Sequence, residues 1–505
     1  MQDMSQSDYP TKPAIVTRQP DPRVHPVGVN ACPDDVELFH VFRTQVASRV
    51  AFGLDQAFWN RDLLQAAHVH PALWHAILAM AATHKALPQL LSDPPSETED
   101  VLTLKHHHLS IKHMLNAATQ SDELSYLQKE MMLMAAVLLT TICSLRRYLP
   151  EALVHAKNGL RLYYRWKFWQ YLSVPGAATS PLGVLRSDSL ILLMEFLEFQ
   201  TFTFTFTSER PKNIKYSAWA RSSPNDAFSC LIEAYFALQL LMNQSIHAWS
   251  EIRRDYLARR QGPLPDPRLV YRRGLSQWRY KFNKLRQLQT QNMVQVNIVR
   301  RLELYCCALE MMLYSDCSEP AFSALPPDSV MEHMVELVEK VFTSETELDE
   351  SYAQDGPASF FFSLSIAPQI GALAIFSRNS RVRQRFISLL NDWPRAESIW
   401  CGKLIAAMTE SVQLVEGEGL TSSQQLCCRP PCTPGEYVCF QHRVMSSYIS
   451  VNKDGDLEHR IQTIGDIQHG LPERIFMWKY LNNEDESSVK VYKWKYPCTV
   501  FRLQV

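Results

Sequence analysis

The stretch DDVELFHVFRTQVASRV (34–50), continued by AFGLDQAFWNRDLLQAAHVHPALWHAILAMAATHKAL (51–87), decides the fold. Asp34 followed three residues later by Glu37 reads as a capping box, which satisfies two orphan backbone donors at a helix start. Val36, Phe39, Phe42, Val46 and Val50 then form one apolar stripe at helical spacing. Gly53 breaks this helix and Asp55 caps a second, which sets Phe58, Trp59, Leu63, Ala66 and Ala67 on one side. Pro71 suits the first position of a third helix, where its missing N–H costs nothing. Leu73, Ile77, Met80, Ala81 and His84 recur along that helix until Pro88 stops it. Short apolar helices joined by tight turns make a core, so Trp59 and Trp74 are expected to be buried where they meet.

The strings FHVFRTQVASRV (39–50) and FWNRDLLQAAHVHPALWHAILAMAATH (58–84) resemble the opening of the regulatory domain of fungal binuclear zinc-cluster transcription factors. Phe58, Trp59, Leu64, Gln65, His75, Ala76 and Ala79 stand at the matching places. SIWCGKLIAAMTESVQLVEGEG (398–419) resembles the helix near the end of the same domain, which extends the resemblance over roughly 33 to 480. The resemblance implies a mainly helical effector domain that is not an enzyme and brings no active site. It also implies a preceding DNA-binding module of six cysteines holding two zinc ions. Residues 1–33 contain Cys32 alone, and one sulfur cannot build that cluster.

Composition agrees with a helical body. With 46% hydrophobic and 20% charged residues in 505, the chain can bury a large core. Its 51 basic and 52 acidic residues give a formal charge of −1, so no global field draws it to nucleic acid. The twelve cysteines are scattered, and the polar start MQDMSQSDYP is no secretory leader, which points to a reducing compartment with free thiols. The apolar run Met131–Ser144 is shorter than the ~20 residues of a membrane span, and a buried helix is expected there instead.

Three segments follow from the patterns along the chain. Residues 1–33, rich in Pro, Ser, Gln and Asp, are expected to be a disordered N-terminal segment. Residues 34–420 are expected to form an all-helical regulatory domain, a large multi-helix bundle or solenoid-like body. Within it, Ser96 to Glu99 caps a helix carrying Leu102, Leu109, Met114 and Leu115, decorated by His106, His107, His108 and His113. Adjacent histidines on one helix point ~100° apart, so that helix alone offers no metal site. Asp122–Thr141 is apolar nearly all round, as a central helix would be. Residues 185–207 are expected to be helical to Phe202 and irregular through the Thr–Phe alternation beyond. Residues 421–505 are expected to form a strand-rich tail, a small antiparallel meander whose strands pack mainly on one another.

No catalytic, cofactor-binding or metal-binding residues stand out, because no nucleophile elbow, phosphate loop, dinucleotide fingerprint or zinc helix occurs. Glu37-x-x-His40 lacks the partners of a di-iron site. Cys428, Cys432, Cys439 and His442 depart from standard zinc spacings, and unpaired thiols are expected. Trp59, Trp74 and His75 are either core or the wall of an effector pocket between helices. Between Arg253 and Arg286 eleven basic residues meet two acids. Arg272, Arg273, Arg279, Lys281 and Lys284, interleaved with aromatic residues, form either a basic surface or a solvated helix face.

The chain thus reads as a transcription-regulator-like protein without its own DNA reader. It would act in the nucleus, and also in the cytoplasm, through other regulatory proteins or a small effector, as a co-regulator of a pathway such as secondary metabolism. A homodimer fits this reading; a membrane and a cofactor do not. A helical scaffold, or an enzyme with an unrecognised pocket, is the alternative. The expected outcome with duplex DNA is no sequence-specific binding, and weak association that falls steeply with salt. A retardation assay at physiological salt checks this, and nanomolar, sequence-selective binding would overturn it.

Overall fold

The computed structural model describes residues 31–504 apart from 52–53, 93–96, 120–122, 147, 173–182, 203–226, 258–267, 289–292, 315–327, 353–363, 378, 394–395, 398, 419–437, 453–455, 479–489 and 494–499. Most of the expected disordered segment, the Thr–Phe alternation past Phe202, Cys428 and Cys432 lie outside the described residues.

Helix α1 (Pro33–Val41) passes through a wide π-turn, Phe42–Val46, into α2 (Ala47–Ala51). Its cap differs from expectation. Cys32 is the N-cap and its N–H donates to Asp35 Oδ2 at 3.3 Å, while Glu37 reaches Lys85 at 2.7 Å instead. Asp34 lies one residue inside the helix because Pro33 already occupies the first turn. A second π-turn, Phe58–Asp62, opens α3 (Leu63–Val69). Helix α4 (Pro71–Ser92) does not stop at Pro88. A proline forfeits one hydrogen bond to the preceding turn, a small loss so close to a helix end.

Helix α5 (Glu97–Thr119) buries Thr103, His106 and Ser110, whereas Leu115 from the expected apolar face is exposed. The Ser110 hydroxyl donates to the Ala72 carbonyl at 2.8 Å, so this polar face docks on α4 by hydrogen bonding. Helix α6 (Tyr126–Leu145) opens with a Ser125–Gln128 capping box and packs on α4, α7 (Leu149–Arg165) and α8 (Ser187–Phe202). By length and composition α6 could cross a membrane, yet 72% of its apolar window is buried, as the central helix of a core requires. Ala152, Ala156 and Gly159 give α7 a smooth buried edge. A Cβ at Gly159 would sit 2.7 Å from the Ala136 Cβ, so only glycine permits this approach.

Helix α8 is described as far as Phe202 and packs on α9 (Leu231–Leu257); the irregular stretch expected beyond it lies outside the described residues. Helices α10 (Arg268–Leu288) and α11 (Met293–Tyr314) follow. Then come α12 (Asp328–Tyr352), α13 (Ala367–Phe376) and α14 (Ser380–Asn391). A minimal hairpin, β1 (Ala396–Glu397) and β2 (Trp400–Cys401), leads directly into α15 (Gly402–Glu418).

That hairpin carries the deepest ion pair. The side chains of Arg301 on α11 and Glu397 on β1 are both fully buried, 3.3 Å apart. Glu397 Oε2 also accepts from Ser365 Oγ at 3.1 Å and from the N–H groups of Ile366 and Ala367 at 2.7 and 2.9 Å. A carboxylate is favoured there because these are unpaired donors at the start of α13. Arg301 Nη1 donates to the Leu364 carbonyl at 2.6 Å, and the Leu364 N–H donates to the Tyr235 hydroxyl at 3.3 Å. Together they hold Leu364 in left-handed backbone, φ 52°, which a branched residue adopts only when its surroundings impose it.

The tail contains β3 (Val444–Val451), β4 (Leu457–Thr463) and, after the short helix α16 (Ile464–His469), β5 (Arg474–Trp478), a three-stranded antiparallel meander. Two further backbone strands, β6 (Lys490–Lys493) and β7 (Val500–Gln504), continue the sheet in the order β3-β4-β5-β7-β6. The meander's strands pair with one another and also rest on the helical body. Ile449, Leu457, Ile461 and Phe476 join the same apolar core as the helices, and β3 and β4 lie against α15. The Val444 N–H donates to Glu416 Oε1 at 3.3 Å, which fixes that seam.

Glu397→Ala should cost about 3–5 kcal/mol, because Arg301 is left as an uncompensated buried charge. Arg301→Met combined with Glu397→Leu should cost clearly less than the single change. Urea unfolding followed by circular dichroism checks both, and equal losses would contradict the pairing.

Candidate functional site

Trp59, Trp74 and His75 are all buried, but the fold takes them to different places. Trp59, at the start of α3, packs edge-on against Phe58 at 5.7 Å and 88°. With Asp55, Phe58, Ser189, Phe196 and Tyr235 it lines a cavity of ≈ 20 Å³ between α3, α8 and α9. That volume holds about one water and no effector. Trp74, on α4, stacks on Phe39 of α1 at 4.8 Å and 23°. Among the described residues its indole N–H finds no acceptor.

His75 lies on the face of α4 toward α5. Its Nδ1 is 3.1 Å from His106 Nδ1, and His106 Nε2 is 3.4 Å from Asp35 Oδ1. If His106 carries its proton on Nε2, facing the carboxylate, its Nδ1 is the acceptor and His75 Nδ1–H is the donor. His113 stacks on the other side of His75 at 5.4 Å. The seam Asp35–His106–His75 thus runs from the N-terminus of α1 across α5 to α4. The partner of the His75 ring is thus a second histidine on a neighbouring helix. The signal for this lies in two helices brought into register, which spacing along one helix cannot report.

Burial pushes His75 down to about 4, reinforced by the neighbouring His106 and His113 charges, and burial also lowers His106. His75 therefore stays neutral in the fold over most of the range where a free histidine, near 6.5, takes up its proton. At the α1 end of the seam the Cys32 thiol donates to Asp35 Oδ1 at 3.1 Å, and the seam as a whole sets the register of three helices.

An ion-pair clamp invisible to local pattern lies on the other side of α3. Arg186, just before α8, donates from Nε to Asp62 Oδ2 at 2.7 Å and from Nη2 to Asp55 Oδ1. Asp55, expected as a cap, is instead in left-handed backbone, φ 45°, and spends its carboxylate on this arginine.

The basic segment resolves into one amphipathic helix. Trp278 and Phe282 of α10 are buried and stacked at 4.6 Å, whereas Tyr280 is exposed. Arg279 forks onto the Glu310 carboxylate of α11, and Arg286 pairs with Glu303. Arg272 caps the end of α11 through the Leu313 carbonyl at 2.8 and 3.0 Å and lies over the Tyr314 ring. Lys281 is buried beside Phe228, and Lys284 lies over Tyr280 at 4.5 Å. Arg273 is exposed. Of these cations Arg279 and Arg286 face carboxylates on α11 and Arg272 a backbone carbonyl, whereas Arg273 lies exposed.

The histidine seam gives stability a defined pH dependence. The unfolded chain binds protons near 6.5 that folded His75 refuses until about 4, so the contribution of this site is full above about 6.5 and lost as pH falls toward 4. His75→Gln keeps a hydrogen-bonding side chain without a proton to bind, and should make the loss between these values shallower by about 1–3 kcal/mol. Thermal unfolding across that range checks it, and unchanged pH dependence would overturn it.

No curated protein and no solved structure matches the chain. Residues 37–149, from inside α1 through α6 to the first residue of α7, match the family described as fungal specific transcription factor domain, which indicates a transcription-regulator-like role.

Proposed function

We propose that the chain is a nuclear transcription regulator that acts through a bound partner protein or a small effector, and that residues 1–505 do not themselves read DNA sequence. The observation that carries this reading is the family match over residues 37–149, which spans the seam of Asp35-linked helices and the central helix α6. Two structural features support the part concerning DNA. Arg279 and Arg286 of α10 pair with acids on α11, and Trp278 and Phe282 between them face the core. On this reading the protein reaches its targets on another DNA-binding protein and serves as a co-regulator, with a metabolic pathway as the field of action. A helical scaffold is the second reading, favoured by the wholly structural use of Trp59, Trp74 and His75.

Tethering the full chain to a heterologous DNA-binding domain tests the choice. The expected result is a several-fold change in a reporter placed downstream of the tethering site, in either direction. A reporter indistinguishable from the unfused DNA-binding domain, with the fusion present in the nucleus at equal amount, would overturn the regulatory reading and leave the scaffold.

A further inference from the structure

Away from the seam, α5, α6 and α7 bring together three metal-ligand side chains that the packing does not explain. His107 comes from α5, Cys143 from α6 and His155 from α7. One donor atom from each lies within 4.8 Å of the other two. His107 Nε2 is 3.6 Å from Cys143 Sγ, and the two imidazole rings meet edge to face with centroids 5.2 Å apart. In a tetrahedral site with bonds of roughly 2.0–2.3 Å, neighbouring ligand atoms stand about 3.3–3.8 Å apart. The first pair is already at that spacing, and the third donor needs only a side-chain adjustment.

We propose that His107, Cys143 and His155 bind a zinc-class divalent cation, with solvent or an outside ligand in the fourth position. The donor set of two nitrogens and one sulfur suits such an ion and is poorly suited to magnesium or calcium, which take oxygen. Cys143 is buried, while both histidines keep an edge toward solvent that leaves an entry path and room for the fourth ligand. Burial pushes His107 down to about 4 and lowers His155 as well, which favours the neutral rings that ligate a metal.

The cysteine enters as a thiol, since burial pushes it up to about 12. Binding forms the metal–sulfur bond, breaks the S–H bond and releases one proton to solvent, with no change of oxidation state. Arg146, one turn past Cys143, opposes a cation, whereas Glu151, one turn before His155, favours it. A thiolate and two neutral imidazoles leave the ion with one net positive charge, which an anionic fourth ligand would neutralise. The same adjacent-histidine run, His106 to His108, thereby serves two neighbours: His106 turns to α4 and His107 to α6 and α7.

Titrating Co2+ into the full-length, metal-free protein tests the site, because cobalt replaces zinc and a thiolate ligand gives it a near-ultraviolet charge-transfer band. The expected result is such a band at one equivalent, its displacement by Zn2+, and a rise in melting temperature with Zn2+. Cys143→Ser should abolish the band and His155→Ala should weaken it strongly, with helical circular dichroism retained in both. His107→Gln serves as a third variant if either of these fails to fold. No band in the unaltered protein, or a band at full strength in any folded variant, would overturn the assignment; full strength in Cys143→Ser would place the thiolate among the other cysteines.

Discussion

A buried guanidinium and a buried carboxylate, Arg301 and Glu397, hold the second half of the chain to a single arrangement. Two charges taken out of water are tolerable only when every remaining lone pair and proton has a partner. Here the partners are the first N–H groups of α13, the Ser365 hydroxyl and the Leu364 carbonyl, so the pair specifies where α13 begins. On the next strand Trp400 donates to the carbonyl of Gln200, 200 residues earlier, and thereby joins the hairpin to α8. Hairpin, α11, α13 and α8 are therefore one mechanical unit, and the N-terminal helices reach the tail through it.

The same device recurs at smaller scale. Glu195 on α8 accepts from the Tyr163 hydroxyl at 3.0 Å and from Asn243 Nδ2 at 2.9 Å, which ties α7, α8 and α9 at one level. His247 reaches Glu198 at 3.1 Å one turn further on. Apolar side chains supply the general attraction between helices, but they tolerate sliding. Buried polar partners do not, because a slip of one turn would strand each of them. The helical layers are thus glued by leucines and alanines and indexed by a few acids, amides and histidines.

Much of this architecture was legible in the sequence, and the reasons differ by element. The burial of Trp59, Trp74 and the face of Leu73, Ile77 and Met80 follows from period and composition alone. Helix α5 misleads because its inward face is Thr103, His106 and Ser110, and a hydropathy pattern scores those as solvent-facing. The clamp of Arg186 on Asp55 and Asp62 joins residues more than 120 apart in the chain, and no local rule proposes it. The candidate site was legible only in part. Each histidine could be picked out, but its partner could not, since pairing depends on how α4, α6 and α7 turn toward α5. The strands of the tail were visible from alternation; their attachment to α15 is tertiary and left no mark in the spacing.

The π-turn at Phe42–Val46 has a consequence for how this fold can vary. A π-turn is one residue inserted into an α-helix, held open by a five-residue hydrogen-bond step. It advances everything after it by about 100°, the angle that one helical residue subtends. In this chain that advance brings Val46, Ala47 and Val50 back under the core after Leu38 and Phe42 have already faced it. Deleting any single residue of the turn would restore a regular helix and swing α2 away from α4, unless a compensating insertion fell before Leu54. Length changes in this region are therefore coupled in pairs, so that a relative shorter by one residue here should carry its missing residue back in the next loop.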